Sequence, residues 1–454
     1  MNWLQLLSHH RLGEVRKAGG LDQARSAFEV DYDRIIFSQP FRRLQDKTQV
    51  LPLPEHDFVH TRLTHSLEVS SVGRSLGKKV GEELIGRHEE LLSNQYSPFD
   101  FGAIVAAASL THDLGNPPFG HSGEAAISDF FLNNPNGNCF REKVNDKEWA
   151  DLTAFEGNAQ GFRVLNRKGA HGLKLTMASL AAFSKYPRES LIHIQDVNRK
   201  SQKKYGFFQS EKDSFAALAH ELGLINLSIG DDMSWCRHPL TFLVEAADDI
   251  CYGIIDFEDG CRLGLVSYEH TVELLSEIIG DLFDRSKLNN IPGRNERIGV
   301  LRAMAINELV KQVSDAFLAF EKDILSGSFD SALTNHISAS ETLKKIETLS
   351  IEKIYRSVQV MEREAAGFQI IDGLLNAFSH AAINKVFDQK SFSSKQKSVL
   401  RLLPETSIYE IEKQEYPYEV LLCVTDFISG LTDSYALTLY QRINGMSIPG
   451  SHRL

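Results

Sequence analysis

Apolar residues recur along most of this chain at the three- and four-residue spacing of one helix face, and the alternation of a half-buried strand is scarce. Leu63, Leu67, Leu76, Val80 and Leu84 mark one amphipathic helix. Phe101 to His112 reads as an Ala-rich apolar helix that runs into Gly115-Asn116-Pro117-Pro118, a combination that stops helices. A third helix begins near Ser122 and ends before Asn133-Asn134-Pro135-Asn136-Gly137, a turn-rich run that predicts a surface loop. The same spacing predicts helices over 154–166, 214–222, 238–253, 268–285, 295–326, 330–349, 351–360, 371–386 and 420–441. An all-α protein follows. With no repeat period and no Pro/Ser linker, the expected organisation is a helical core over residues 1–270 and a helical C-terminal extension over 271–454 packed on it.

Composition narrows the class. Of the 454 residues, 42% are hydrophobic and 24% charged, which is ample for a core and excludes a disordered or collagenous chain. No run approaches the roughly 18 apolar residues of a membrane span; the longest, around Ile104 to Leu110, is about half that, so insertion in a membrane is not expected. Met1 to Val15 carries His9, His10, Arg11 and Glu14 where an export signal needs an apolar stretch. The 5 cysteines form no CxxC pair, and a reduced, cytoplasmic protein is expected. A net charge of -11 argues against a general nucleic-acid or anionic-membrane coat. One stretch departs from that trend: Lys185, Arg188, Arg199, Lys200, Lys203 and Lys204 precede Tyr205, Phe207 and Phe208. Such a segment either holds phosphates and stacks bases or is a solvated loop, and the sequence favours the loop.

Two His-Asp dipeptides stand out among the 16 histidines. His56-Asp57 lies in a Pro-bounded turn and reads as ordinary surface. His112-Asp113 ends an apolar helix, where two ionisable side chains need compensation, and a metal ion supplies it economically. Neighbouring helical side chains diverge by about 100°, so an ion shared by this pair must sit off the helix end and take further ligands from other helices. His65 and Asp248 are the best-placed partners, the latter because small Ala246 and Ala247 allow close packing around a carboxylate that then needs a cation. Two imidazoles and two carboxylates suit Mn, Fe, Co, Ni or Zn, with Mg less at home among nitrogen ligands. Four protein ligands on an octahedral ion leave positions for water and a substrate oxygen, a catalytic arrangement.

The set His65, His112-Asp113, Asp248 resembles the HD phosphohydrolase superfamily. The surrounding strings resemble its bacterial deoxyguanosine triphosphate triphosphohydrolase family: Asp31-Tyr32-Asp33-Arg34-Ile35-Ile36, Phe41-Arg42-Arg43-Leu44-Gln45, Thr48-Gln49-Val50, Arg62 through Val69, the run HDLGNPPFGHSGE from His112 to Glu124, Phe155 through Gly161, and Ala246-Ala247-Asp248-Asp249-Ile250. These motifs span most of residues 31–260. Later only shorter echoes remain, Ala365-Ala366-Gly367-Phe368 and Gly430-Leu431-Thr432-Asp433-Ser434-Tyr435-Ala436.

The resemblance implies an HD-domain core, one divalent metal ion per active site held by His65, His112, Asp113 and Asp248, and hydrolysis of a deoxynucleoside triphosphate (dNTP) at the α-phosphorus to deoxynucleoside and tripolyphosphate. His121 and Glu124, three residues apart on one helix face, are by resemblance the catalytic histidine and its orienting acid, with a helix-capping pair as the bland alternative. Arg62, one turn before His65, is placed to grip the α-phosphate unless it is a surface residue. By resemblance Gln49, Tyr252 and Asp256 read the sugar, the Tyr252 ring filling the space of a 2'-hydroxyl and the polar pair bonding the 3'-hydroxyl; without the family, Tyr252 reads equally as a core aromatic. Asn158 is assigned to the water network of the site, and Lys185 is left between that site and solvent. No base-recognising position is matched, so guanine preference stays open. A homo-oligomer, an effector nucleotide and single-stranded DNA are partners known among such relatives. The rival readings are another HD phosphohydrolase, a nucleotidase or cyclic-nucleotide phosphodiesterase, and a dNTP-responsive single-stranded DNA-binding protein.

Overall fold

The computed structural model describes residues 1–13, 25–49, 60–167, 172–356 and 358–447. Among them the chain is all-α: helices follow one another from Trp3–Leu6 to Asp433–Ile443, and the only extended pairings are isolated bridges such as Thr48 with Thr61. His56-Asp57 falls outside the described residues.

Two helices, Arg62–Arg87 and Pro98–Thr111, make the centre. The first opens on a capping box in which Thr61 and Thr64 exchange side-chain bonds. The second opens on another between Ser97 and Asp100, with Pro98 in the first turn where its missing N–H costs nothing. Gly73, Gly77 and Gly81 form a stripe on the first helix facing Phe101 and Ser109 of the second; a Cβ at Gly77 would lie 2.6 Å from the Phe101 carbonyl oxygen. Backbones can therefore approach in near contact, and Val69, Leu76, Val80 and Leu84 are fully buried beside them. Thr241–Arg262 packs on both and brings Asp248 toward the C-terminal end of Pro98–Thr111.

Apolar packing divides into two clusters, and neither lies on one side of residue 270. The first runs from Trp3 through Ile354. The second joins Ile127, Phe130 and Phe131 of the His121–Asn133 helix to Ile371, Leu374 and Phe378 of the 30-residue helix Val358–Phe387 and to Leu421 and Val424 of Pro417–Ser429.

Several expected elements are corrected. Leu67 is 41% exposed because the glycine stripe, not a leucine seam, sets the buried face of its helix. The loop expected at Asn133–Gly137 contains the helical turn Pro135–Asn138, capped by the Asn134 side chain, with Gly137 buried against Phe130. The helix expected over 154–166 is Gly157–Leu165, and a further helix, Asp146–Thr153, precedes it where none was expected. Residues 351–360 hold the π-helical turn Ile351–Tyr355 and the start of Val358–Phe387. The helix expected over 420–441 is broken by a 114° bend between Pro417–Ser429 and Asp433–Ile443, where the Thr432 hydroxyl caps the second. The basic segment is a loop, exposed over residues 193–198, but most of its basic side chains are paired and not simply solvated. Lys185 pairs with Asp248, Arg199 with Asp330, Lys200 with Glu245 and Lys204 with Glu156, while Tyr205, Phe207 and Phe208 are core residues unavailable to bases. No single described helix is long and apolar enough to cross a membrane.

Candidate active site

Each of the four expected metal-binding residues sits where one of these helices meets its neighbours. Donor atoms of His65, His112 and Asp113 lie within 4.8 Å of one another. Asp248 Oδ1 stands 3.2 Å from His65 Nε2 and 3.4 Å from His112 Nε2, closing a quartet of two nitrogens and two carboxylates. His112 Nδ1 donates to the Ser109 carbonyl at 2.7 Å, which fixes its tautomer and leaves Nε2 with its lone pair turned to the others. Burial opposes ionisation of both acids, but cations override it. The Arg62 guanidinium, 2.5 Å from Asp113 Oδ2, holds that carboxyl far below its usual range, and Lys185 Nζ, 2.7 Å from Asp248 Oδ2, does the same for Asp248. Burial lowers the pKa of His112. A neutral imidazole lone pair beside two ionised carboxylates is the donor set of a divalent transition-metal ion, so these residues fit one.

His112, Asp113 and Asp248 of the quartet form one wall of a cavity of about 500 Å³, with His65 behind them. On another wall His121, its side chain 79% exposed, presents Nδ1 to Glu124 Oε2 at 2.9 Å. The other Glu124 oxygen accepts the Gly157 N–H at 2.8 Å, and that carboxylate stays below its usual pKa because the bond to His121 offsets burial. In return Glu124 raises the His121 pKa, chiefly through the same hydrogen bond. His121 is the first residue of its helix, entered through Phe119 and Gly120, both in the left-handed region at φ 65° and 61°. For a residue with a Cβ such as Phe119 that conformation costs on the order of 1–2 kcal/mol, so something must hold the turn.

Gln49, Arg62, Asn158, Lys185 and Tyr252 all line the cavity. Arg62 is buried rather than a surface residue, and Lys185 is partly buried in its ion pair. Among the described residues Gln49 Oε1 is buried with no hydrogen-bond partner. Asn158 donates to Glu156 Oε1 at 2.7 Å, the oxygen that Lys204 Nζ also reaches at 3.0 Å. Asp256 does not line the cavity. Its carboxyl, pushed up to about 7 by burial, accepts the Tyr355 hydroxyl at 3.0 Å, and the Tyr355 ring stands 5.5 Å from that of Tyr252 at the cavity wall.

Sequence reasoning did not find Tyr355, Tyr186, Arg363 and Glu364, which complete the lining. Tyr355 ends the π-helical turn, a geometry frequent at functional sites but without a sequence signature here. Arg363 and Glu364 directly precede the echo Ala365-Ala366-Gly367-Phe368, the one signal that could have located them.

Comparison with known proteins agrees with this geometry. Residues 62–157 match the HD domain, and residues 334–442 match the phosphohydrolase-associated domain. A deoxyguanosinetriphosphate triphosphohydrolase-like protein of Synechocystis sp. is 44% identical, covering 99% of this chain and 100% of its own. A like-named protein of Pseudomonas aeruginosa is 40% identical, again over 99% and 100% of the two chains. The deoxyguanosinetriphosphate triphosphohydrolase of Salmonella arizonae is 32% identical over 92% of this chain and 93% of its own. With an HD quartet, a histidine–glutamate pair across one cavity and full-length similarity of this kind, the chain is a hydrolase and belongs to the deoxyguanosinetriphosphate triphosphohydrolase-like family of HD-domain proteins.

Proposed function

We propose that the chain hydrolyses a deoxynucleoside triphosphate at its α-phosphorus, with His65, His112, Asp113 and Asp248 holding one divalent ion and His121 acting as proton donor. One observation carries the reading: the His121–Glu124 pair stands across a nucleotide-sized cavity from the quartet, so both ends of a scissile P–O bond have a chemical partner. The ion, when bound, supplies polarisation of a phosphate oxygen and acidification of water. The chain supplies the rest. Arg62 and Lys185, tied to Asp113 and Asp248, face the phosphates as fixed positive charge, and Lys204 extends that charge along the cavity. With Nδ1 of His121 bonded to Glu124, Nε2 is the nitrogen left to protonate the departing 5'-oxygen, and the ionised Glu124 steadies the imidazolium before transfer. Water adds to the α-phosphorus and gives up a proton to solvent, the P–O5' bond breaks, the nucleoside leaves with the proton from His121, and His121 is reprotonated from solvent.

Tyr252, with Tyr355 beside it, closes the place of a 2'-hydroxyl, and Gln49 supplies an acceptor for the sugar's 3'-hydroxyl; Asp256, which does not line the cavity, joins Gln49 there only when Tyr355, which bonds it, turns aside. The names of the relatives point to the same substrate class. A homo-oligomer and an effector nucleotide or single-stranded DNA belong to this proposal as well.

The test is to incubate the protein with each of the four dNTPs and Mn or Mg and to separate products by anion exchange. Tripolyphosphate with free deoxynucleoside is expected; inorganic phosphate or pyrophosphate with a phosphorylated nucleoside in its place refutes cleavage of the P–O5' bond. His121→Ala should retain the ion and lose about 100- to 10,000-fold in turnover.

A further inference from the structure

The side chain of Asp433, on a helix more than three hundred residues beyond the HD motif, binds two segments that shape the cavity. Its Oδ1 accepts the Phe119 N–H at 2.9 Å and its Oδ2 accepts the Thr48 N–H at 2.9 Å, while the Arg363 guanidinium bonds Oδ2 as well. These donors come from three separate stretches of chain. Phe119 and Gly120 are the left-handed pair from which His121 emerges. Thr48 immediately precedes Gln49, and Arg363 lines the cavity and lies over the Phe119 ring, 5.8 Å from its centroid.

A second tie runs alongside. Buried Lys47 Nζ donates to the Asn116 carbonyl at 2.6 Å and to the Ser429 carbonyl at 2.7 Å, joining the same two segments to the bend before Asp433. Asn116 in turn donates to Asp113 Oδ1 at 2.6 Å.

We propose that Asp433 is a positioning residue for the hydrolase. One carboxylate clamps the strained turn that aims His121 and the segment that presents Gln49, so the C-terminal helix sets the distance between proton donor and sugar wall. The local argument is a matter of donors. Both carboxylate oxygens face N–H groups, three in all, and a carboxylate alone among side chains of this size accepts from all three without presenting a donor of its own. Asp433 belongs to neither the quartet nor the cavity lining itself, so it acts through the lining residues it holds.

The inference rests on the dNTP reading for its consequence in turnover but not for the clamp itself, and the experiment separates the two. In Asp433→Asn the amide nitrogen faces a donor whichever way it is turned. Hydrogen exchange should quicken by about tenfold, the equivalent of one lost bond, in the peptides covering 44–49 and 115–121 and not elsewhere, with Mn affinity unchanged. Kinetically, kcat should fall because His121 is misaimed, and KM should rise because Gln49 is displaced. If Asp433→Asn does not fold, Arg363→Gln removes one of the three donors and should quicken the same two peptides to a smaller degree. Exchange that stays at the wild-type rate in those peptides, or rises uniformly along the chain, overturns the proposal. Should the wild-type protein turn over no dNTP, the substrate reading fails by itself and the exchange measurement still decides the clamp.

Discussion

A single hydrogen bond decides how far into alkaline pH the site can work. If His121 is the proton donor proposed above, its imidazole must be protonated to serve the leaving 5'-oxygen, and its pKa lies above the ordinary value chiefly because Nδ1 bonds Glu124. A raised pKa keeps the acid form present to higher pH, so kcat/KM should hold through neutrality and fall as pH climbs through the His121 pKa. In Glu124→Gln the ionic partner is gone, the pKa drops, and the alkaline limb should move to lower pH with reduced maximal rate; a pH profile of kcat/KM in both proteins measures it. A limb in the same place would take His121 out of the proton-donor role. Tyr252 offers a second single-residue test. If its ring, 38% exposed at the cavity wall, excludes a 2'-hydroxyl, then Tyr252→Gly should admit ribonucleoside triphosphates, read as the ratio of kcat/KM for a dNTP and its ribonucleotide. An unchanged ratio would remove the gate from Tyr252.

Elements, rather than residues, explain why the quartet is where it is. His65 and His112 come from helices whose separation is set by the Gly73, Gly77 and Gly81 stripe, and the two imidazole centroids are 5.2 Å apart. Gly77→Val should destabilise the fold by about 1–3 kcal/mol, since its Cβ would meet backbone at Phe101 rather than a movable side-chain tip. Chemical denaturation checks this, and a wild-type midpoint would show that the helices can part at no cost. That stripe also marks a boundary of what could be read from the chain. The helix is legible from Leu76, Val80 and Leu84, which are buried, but glycines carry no hydrophobic signal, so the expected apolar face also takes in Leu67, which is exposed. The same limit hid the bend after Ser429. An apolar run over 420–441 looks continuous until Thr432 caps a new helix, a role its side chain shares with many mid-helix threonines.

At the scale of the molecule, chemistry written as contiguous strings was legible and chemistry assembled from distant pieces was not. His112, Asp113, His121 and Glu124 fall within one short run, and His65 and Asp248 have telling neighbours. Arg363 reaches the cavity because the second apolar cluster packs its helix against that of His121, and Tyr355 because its π-helical turn packs on the first cluster, long-range consequences that no local pattern encodes. The quartet is itself a cross-link: Arg62–Arg87, the end of Pro98–Thr111 and Thr241–Arg262 each supply donors, and all three belong to the first cluster. An ion bound there holds three helices that unfolding must separate, so its binding free energy adds to the stability of the fold. At about one hundred times its Kd the gain is about 2.7 kcal/mol. With an unfolding entropy of about 2.1 cal/mol/K per residue over 454 residues, Mn should raise Tm by about 3 °C. Asp248→Ala should abolish that rise while His121→Ala keeps it, because His121 lies on the far wall. A rise that survives in Asp248→Ala would mean that the ion binds elsewhere, and the helices would then owe their arrangement to packing alone.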